Sequence, residues 1–151
     1  MKFQLIDRVL ERSDDRLVAL RAVSAGEEYL QDHFPGFPIL PGVFMLEAMV
    51  QAARACEEQR AGGADAQPWV LGRVRALKYG AMVRPGASMR IEVTRGESDD
   101  SGGVDYKGVV YLIEPAPSDQ PGPDQPQPEQ AGPVQAASGR LTLRQARVTL
   151  G

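Results

Sequence analysis

The sequence contains little of what several classes of protein require. It has one cysteine, Cys56, and one histidine, His33. A single cysteine cannot form an internal disulfide, and the pair cannot supply the ligand set of a structural zinc site. No stretch approaches the ~18 consecutive apolar residues that a transmembrane helix needs. Charge at Asp7 and Arg8 also interrupts the N-terminal region, which therefore does not resemble a secretory signal.

Positive charge is scarce as well. The chain has 17 Lys and Arg against 20 Asp and Glu, a formal net charge of −3. Proteins that bind nucleic acid present a positive field, so neither nucleic acid nor a membrane is an expected partner. The hydrophobic fraction of 42% is typical of a globular protein. We expect one domain over residues 1–151, located in the cytoplasm.

Prolines are concentrated in a single segment, residues 114–133, which holds seven of the twelve in the chain. This segment contains no aromatic and no branched aliphatic residue, so it cannot bury enough surface to offset the entropy of ordering. The composition predicts a disordered loop insertion. A proline-rich docking ligand is the alternative, which the irregular proline spacing disfavours.

The remaining pattern predicts one long helix and about six antiparallel strands. The helix should run from Val43 to Arg60, between Pro41 and the Gly62-Gly63 pair. Its apolar residues cover nearly the whole circumference, so we expect protein on all sides. Its last turns become polar, and we expect that end to emerge into solvent; the residues concerned are Arg54, Glu57, Glu58 and Arg60.

Segments with a period of two predict the strands, which we expect to wrap around the helix. In one of them Met89, Ile91 and Val93 alternate with polar residues. Short polar turns predict hairpins near residues 13–15 and 98–103. One sheet would leave a flank of the helix uncovered, so a second protomer is expected.

Two side chains before and within the helix could move protons. His33 alone is more often a structural residue than a catalytic one. Glu47 lies in the apolar run VFMLEAMV, where an isolated charge is costly to bury. It could form an interface ion pair, reach a water in a cavity, or act as an acid near neutral pH. Gln51, one turn further, could hold Glu47 or a water, or simply bond to backbone.

The start of the helix offers a third group. The amides of Gly42 and Val43, just after Pro41, have no intrahelical partner and lie at the positive end of the helix dipole. They could stabilise a polarised carbonyl oxygen, or they could mark no more than a helix start. A base, an acid and such an anchor together fit removal of a proton beside a carbonyl with loss of a hydroxyl.

The stretch 33–51 closely resembles the FabZ-type 3-hydroxyacyl-[acyl-carrier-protein] dehydratases. Their pattern is H-F-P-G-x-P-x-x-P-G-x-x-x-x-E-A-x-x-Q, matched here by His33-Phe34-Pro35-Gly36, Pro38, Pro41-Gly42, Glu47-Ala48 and Gln51. The resemblance implies an α+β hotdog fold, a sheet wrapped around a central helix, in a homodimer that is often assembled into a trimer of dimers. It also implies an acyl carrier protein as partner and no metal or redox cofactor.

On this resemblance His33 of one subunit removes the C2 proton and Glu47 of the other assists loss of the hydroxyl. The Gly42 amide, with Val43 beside it, polarises the thioester carbonyl, while Phe34, Pro41 and Gln51 support the site. Arg54 departs from the family, where a small residue is common, and we expect it to affect the dimer contact or the acyl tunnel. A hotdog thioesterase and a non-catalytic partner subunit are the alternatives.

Overall fold

A computed structural model describes residues 3–62, 67–115 and 132–146. These residues form six strands, one α-helix and a short 3-10 turn at Glu28–Leu30. The strands and helix, in chain order, are β1 (Arg8–Arg12), β2 (Arg16–Ala22), α1 (Gly42–Arg60), β3 (Trp69–Tyr79), β4 (Ser88–Ser98), β5 (Val104–Ile113) and β6 (Val134–Gln145). Most of the predicted proline-rich loop, residues 114–133, lies outside the described residues, so its disorder stays a prediction.

The six strands form one antiparallel sheet in the order β1-β2-β4-β5-β6-β3. The two predicted hairpins, β1-β2 and β4-β5, are confirmed. β6 lies between β5 and β3, because Gly139 pairs with Gly108 on one side and Leu141 pairs with Val74 on the other. β3 therefore forms one edge of the sheet, with β6 as its neighbour in the part of the chain that the structure describes.

The ends of α1 agree with the sequence to within one residue. Pro41 immediately precedes the helix, and its carbonyl oxygen accepts a 2.9 Å hydrogen bond from the Phe44 amide. At the other end Gly62 has a φ of +78°, a conformation that favours glycine and ends a helix. Within the described ranges, α1 included, no helix is both long enough and apolar enough to cross a membrane.

The inner face of the sheet packs against α1. The predicted alternation in β4 is confirmed, because Met89, Ile91 and Val93 are fully buried. The helix packs closely on Gly108 of β5, where a Cβ atom would lie 2.5 Å from the Sδ of Met49. A side chain at this position would force the Met49 side chain to shift. An antiparallel sheet curved around one helix confirms the expected α+β hotdog fold.

The environment of α1 differs from the prediction near its C-terminal end. Glu57 was expected in solvent but is only 5% exposed. Tyr106 of β5 and Arg95 of β4 both donate hydrogen bonds to its Oε1, at 2.6 and 2.8 Å. At the other end Val43 is 61% exposed, so this part of the helix is not surrounded by protein in a single chain. This exposure agrees with the expectation that one sheet leaves a flank of the helix uncovered.

Candidate active site

His33 lies in a tight loop that its own backbone closes. Phe34 and Phe37 exchange two backbone hydrogen bonds, and the Ile39 amide donates to the His33 carbonyl at 2.9 Å. Gly36 has a φ of +75°, which side-chain-bearing residues rarely adopt. The Pro35-Gly36 pair in the sequence therefore makes the chain reversal that places His33 ahead of α1.

Ile39 also orients the imidazole of His33. The ring Nδ1 lies 2.9 Å from the Ile39 carbonyl oxygen. Because a carbonyl oxygen can only accept, the hydrogen bond assigns the ring hydrogen to Nδ1 and leaves the lone pair of the neutral ring on Nε2. The Phe34 ring stacks on the imidazole with centroids 4.3 Å apart. Nε2 is therefore the nitrogen available to accept a proton.

The first amides of α1 are open to a ligand. Neither Gly42 nor Val43 donates its amide to an acceptor within the described residues. The Tyr79 ring packs across Gly42, where a Cβ atom would lie 2.9 Å from the ring carbons Cε1 and Cζ. Burial raises the pKa of Tyr79. The helix therefore begins with two free donors beside an aromatic ring, a geometry suited to a negatively charged oxygen.

Glu47, Gln51 and Arg54 lie along one face of α1, one helical turn apart. Gln51 Nε2 donates to Glu47 Oε1 at 3.2 Å, and Nη1 of Arg54 lies 3.7 Å from the same oxygen. Glu47 Oε2 has no hydrogen-bond partner among the described residues. The Glu47 side chain is 38% exposed, so the carboxylate lies at the surface of one chain rather than in its core.

Gln51 is held in turn by residues 3–5, which we call the N-terminal segment. Its Oε1 accepts a 2.8 Å hydrogen bond from the Leu5 amide, and its Nε2 donates to the Phe3 carbonyl at 3.1 Å. Both ends of the Gln51 amide are therefore engaged by backbone while Nε2 also contacts Glu47. Of the options that the sequence left open for Gln51, the structure combines two, a hold on Glu47 and bonds to backbone.

The structure does not bring His33 and Glu47 into contact within one chain. In the described ranges no hydrogen bond or ion pair joins them. A cleft of about 660 Å³ lies between the N-terminal segment, the end of β2 and residues 24–29, but none of the candidate groups lines it. Within the described part of one chain, His33 and Glu47 are thus not joined by a polar contact.

Three contacts at this site are not apparent from local sequence pattern alone. For one of them, the pairing of Arg54 with Glu47, helix geometry supplies a signal, because seven residues are about two turns of an α-helix. The approach of Tyr79 to Gly42 and the contact of the N-terminal segment with Gln51 have no local signal, since they join distant parts of the chain. In the described ranges no three His, Cys, Asp or Glu side chains lie close enough together to hold a metal ion.

A sheet wrapped around one helix, with a histidine loop before the helix and a glutamate on it, defines a hotdog protein. A family model for the FabA-like domain matches residues 1–110. The chain belongs to the FabA-like family.

The relatives and solved structures that resemble the chain agree with this assignment. It is 39% identical over 117 residues to the 3-hydroxyacyl-[acyl-carrier-protein] dehydratase FabZ of Pelotomaculum thermopropionicum, covering 74% of this chain and 83% of the relative. It is 38% identical over 98 residues to FabZ of Oenococcus oeni, covering 64% of this chain and 70% of the relative. The dehydratase heterocomplex ApeI:P from Xenorhabdus doucetiae has a similar fold, with a TM-score of 0.67, 20% identity, and coverage of 96% of this chain and 84% of that one.

Proposed function

We propose that the protein dehydrates 3-hydroxyacyl thioesters borne on an acyl carrier protein to trans-2-enoyl thioesters, in fatty-acid or related lipid biosynthesis. One observation supports this most directly: the 2.9 Å hydrogen bond from His33 Nδ1 to Ile39 leaves Nε2 as a free base. The FabZ relatives, whose names describe this reaction, support the same proposal. We expect the enzyme to act in the cytoplasm.

The reaction divides between three groups. His33 Nε2 removes the C2 proton while the Gly42 and Val43 amides stabilise charge on the thioester oxygen. The electrons of the broken C–H bond form the C2–C3 double bond, and the C3–O bond breaks. Glu47 Oε2 donates a proton to the departing hydroxyl, which leaves as water, and the proton on His33 then restores the acid through solvent. These steps require no metal or redox cofactor.

We infer that a complete site needs two copies of the chain, with His33 from one and Glu47 from the other. The lack of contact between them in one chain supports this, as do exposed apolar residues near the His33 loop and helix start. Phe34, Val43 and Met82 are 52%, 61% and 59% exposed. The open edge of β3 could also pair with a second copy, because an unpaired edge readily accepts another strand. A trimer of such dimers remains a further expectation.

An assay of the full chain with a trans-2-enoyl thioester tests the proposed reaction. Loss of the enoyl absorbance without release of thiol would support reversible hydration. Release of thiol would instead identify a hotdog thioesterase. If the enoyl absorbance does not fall, no thiol is released and a 3-hydroxyacyl thioester is also left unchanged, the protein is a non-catalytic subunit. That result would refute the proposal.

Mixing of two inactive variants tests the shared site. His33→Ala and Glu47→Gln chains should each be inactive alone. After joint refolding, half of the dimers are mixed and each has one intact pair, so about a quarter of the wild-type activity should return. Two variants that stay inactive after mixing, although mixed dimers form, would show that both groups must come from one chain.

A further inference from the structure

Gln51 links the N-terminal segment to the carboxylate of Glu47. Its Oε1 accepts from the Leu5 amide, and its Nε2 donates both to the Phe3 carbonyl and to Glu47 Oε1. If the amide were flipped, its NH2 group would face the Leu5 N–H, a donor against a donor. Its oxygen would face the Phe3 carbonyl oxygen and Glu47 Oε1, an acceptor against two acceptors. The backbone of the segment therefore dictates that Gln51 presents a donor to Glu47.

Apolar packing holds the segment in place. Leu5 is buried, and the Phe3 ring packs against Phe44 of α1 with centroids 4.9 Å apart. Tyr29 packs edge-on against the same Phe44 ring, with centroids 4.5 Å apart. Phe3 itself is 42% exposed and forms no polar side-chain contact with Glu47. Its ring anchors the segment without belonging to the catalytic groups.

We propose that the N-terminal segment is a positioning element of the active site, acting on Glu47 through Gln51. This inference rests on the proposed dehydratase function. With Oε1 of Glu47 held by Gln51, Oε2 is the oxygen left to face the substrate. Release of the segment removes both backbone partners of Gln51, so the amide can rotate and the carboxylate loses its fixed direction. Misplacement of a reacting group by about 1 Å can lower a rate ~10²-fold.

The first test replaces the anchor and leaves the catalytic groups unchanged. Phe3→Ala should lower kcat about 10-fold, with KM within about twofold of wild type, because orientation is lost and binding is not. Phe3→Leu keeps an apolar anchor and should recover most of kcat. Leu10→Ala on β1 is the matched control, since Leu10 is an apolar residue of similar exposure, 43%, that lies outside the segment. It should retain wild-type kcat.

A double-variant cycle separates positioning from general destabilisation. Gln51→Ala should also lower kcat about 10-fold, and adding Phe3→Ala to it should cause no further loss, because both changes break the same link. Losses that multiply would show that Phe3 acts independently of Gln51 and would overturn the inference. If Phe3→Ala does not form the native assembly, Phe3→Thr supplies the same comparison, because it removes the ring that packs against Phe44 but keeps a larger side chain than alanine.

Failure of this inference is distinct from failure of the proposed function. A wild-type protein that does not dehydrate 3-hydroxyacyl thioesters would refute the proposed function. An active wild type whose Phe3→Ala variant keeps its kcat would refute only the positioning by the N-terminal segment.

Discussion

Arg54 Nη1 lies 3.7 Å from Glu47 Oε1, the oxygen that also accepts the Gln51 amide. The Arg54 and Glu47 side chains are 33% and 38% exposed. Ion pairs with this much exposure contribute at most ~1 kcal/mol, because water and salt screen them. The departure from the family at this position is therefore compatible with the proposed acid, and its effect on catalysis should be modest.

Arg54→Ala tests this expectation. We expect kcat/KM to change less than about fivefold at low salt, and the difference to shrink near 1 M salt, where the Debye length is ~3 Å. Arg12→Ala on β1 is the matched control for removal of one positive charge. A loss well above tenfold that salt does not reduce would mean that Arg54 contacts the substrate directly.

His33→Ala and Glu47→Gln should each lower kcat at least ~10²-fold, because each removes one proton-transfer group. Both side chains are partly exposed in the single chain, so the thermal midpoint should change little. Glu58→Gln is the control for the loss of a carboxylate on α1, since Glu58 is exposed on its last turn. Wild-type rates in both active-site variants would reject the mechanism.

Local sequence pattern accounts for most of the fold. Pro41 and Gly62 mark the helix, and the alternation of Met89, Ile91 and Val93 marks a half-buried strand. The burial of Glu57 could not be predicted in this way, because its partners Arg95 and Tyr106 lie 38 and 49 residues away. The sequence of a polar helix end is the same whether or not the facing strand carries a cationic side chain that can pair with it.

At the candidate site, too, local sequence pattern predicts contacts between residues close in sequence but not between distant ones. The spacing of Glu47, Gln51 and Arg54 places them on one helix face, so the proximity of their side chains follows from helix geometry. The hold on Gln51 by Leu5 spans 46 residues and depends on how the chain packs. Sequence pattern suggested the candidate groups His33 and Glu47, whereas the contacts of Gln51 with Leu5 and Phe3 join distant segments.

Removal of the buried carboxylate should destabilise the protein. Glu57→Ala leaves the Tyr106 hydroxyl and the Nε of Arg95 without their shared acceptor. Burial, together with the hydrogen bond to Glu57, raises the pKa of Tyr106. Arg95 retains 19% exposure. We expect a loss of about 3 kcal/mol in the free energy of unfolding. This value is the lower end of the range for a broken buried ion pair, because water still reaches part of Arg95.

Urea unfolding of Glu57→Ala beside Glu58→Ala measures this loss. The exposed Glu58 should cost less than ~0.5 kcal/mol. Equal stability of the two variants would contradict the structural importance of Glu57.

Gly42→Ala tests the open amides at the start of α1. The new methyl group would lie against the Tyr79 ring, which is 49% exposed and can swing outward. We expect nearly unchanged stability but a kcat/KM at least ~10-fold lower, since both the methyl group and the displaced ring crowd the amides. Gly26→Ala, in an exposed turn, is the control. Wild-type kcat/KM in Gly42→Ala would exclude close approach of the substrate.

Stability should depend on pH through the β4-β5 hairpin. Hydrogen bonds from Ser101 and Gly103, with Arg144 nearby, lower the pKa of Asp99 to about 2. A lowered pKa means that the stabilisation is complete above the unfolded value of ~4 and is lost as the pH falls toward 2. Asp99→Asn should flatten the fall in unfolding free energy across this window, whereas Asp100→Asn should not. Equal slopes in urea titrations of wild type and Asp99→Asn would contradict this assignment.

The strand order also has a consequence for synthesis on the ribosome. β3 ends at Tyr79, but its neighbour β6 begins only at Val134, and the first residue of β3 pairs with the last residue of β6. A nascent chain therefore holds β3 without this hydrogen-bonded neighbour until residues 134–145 have been translated. β6 therefore completes the sheet next to β3, and a chain released before Val134 would expose both sides of β3 to chaperones and to other unfinished copies.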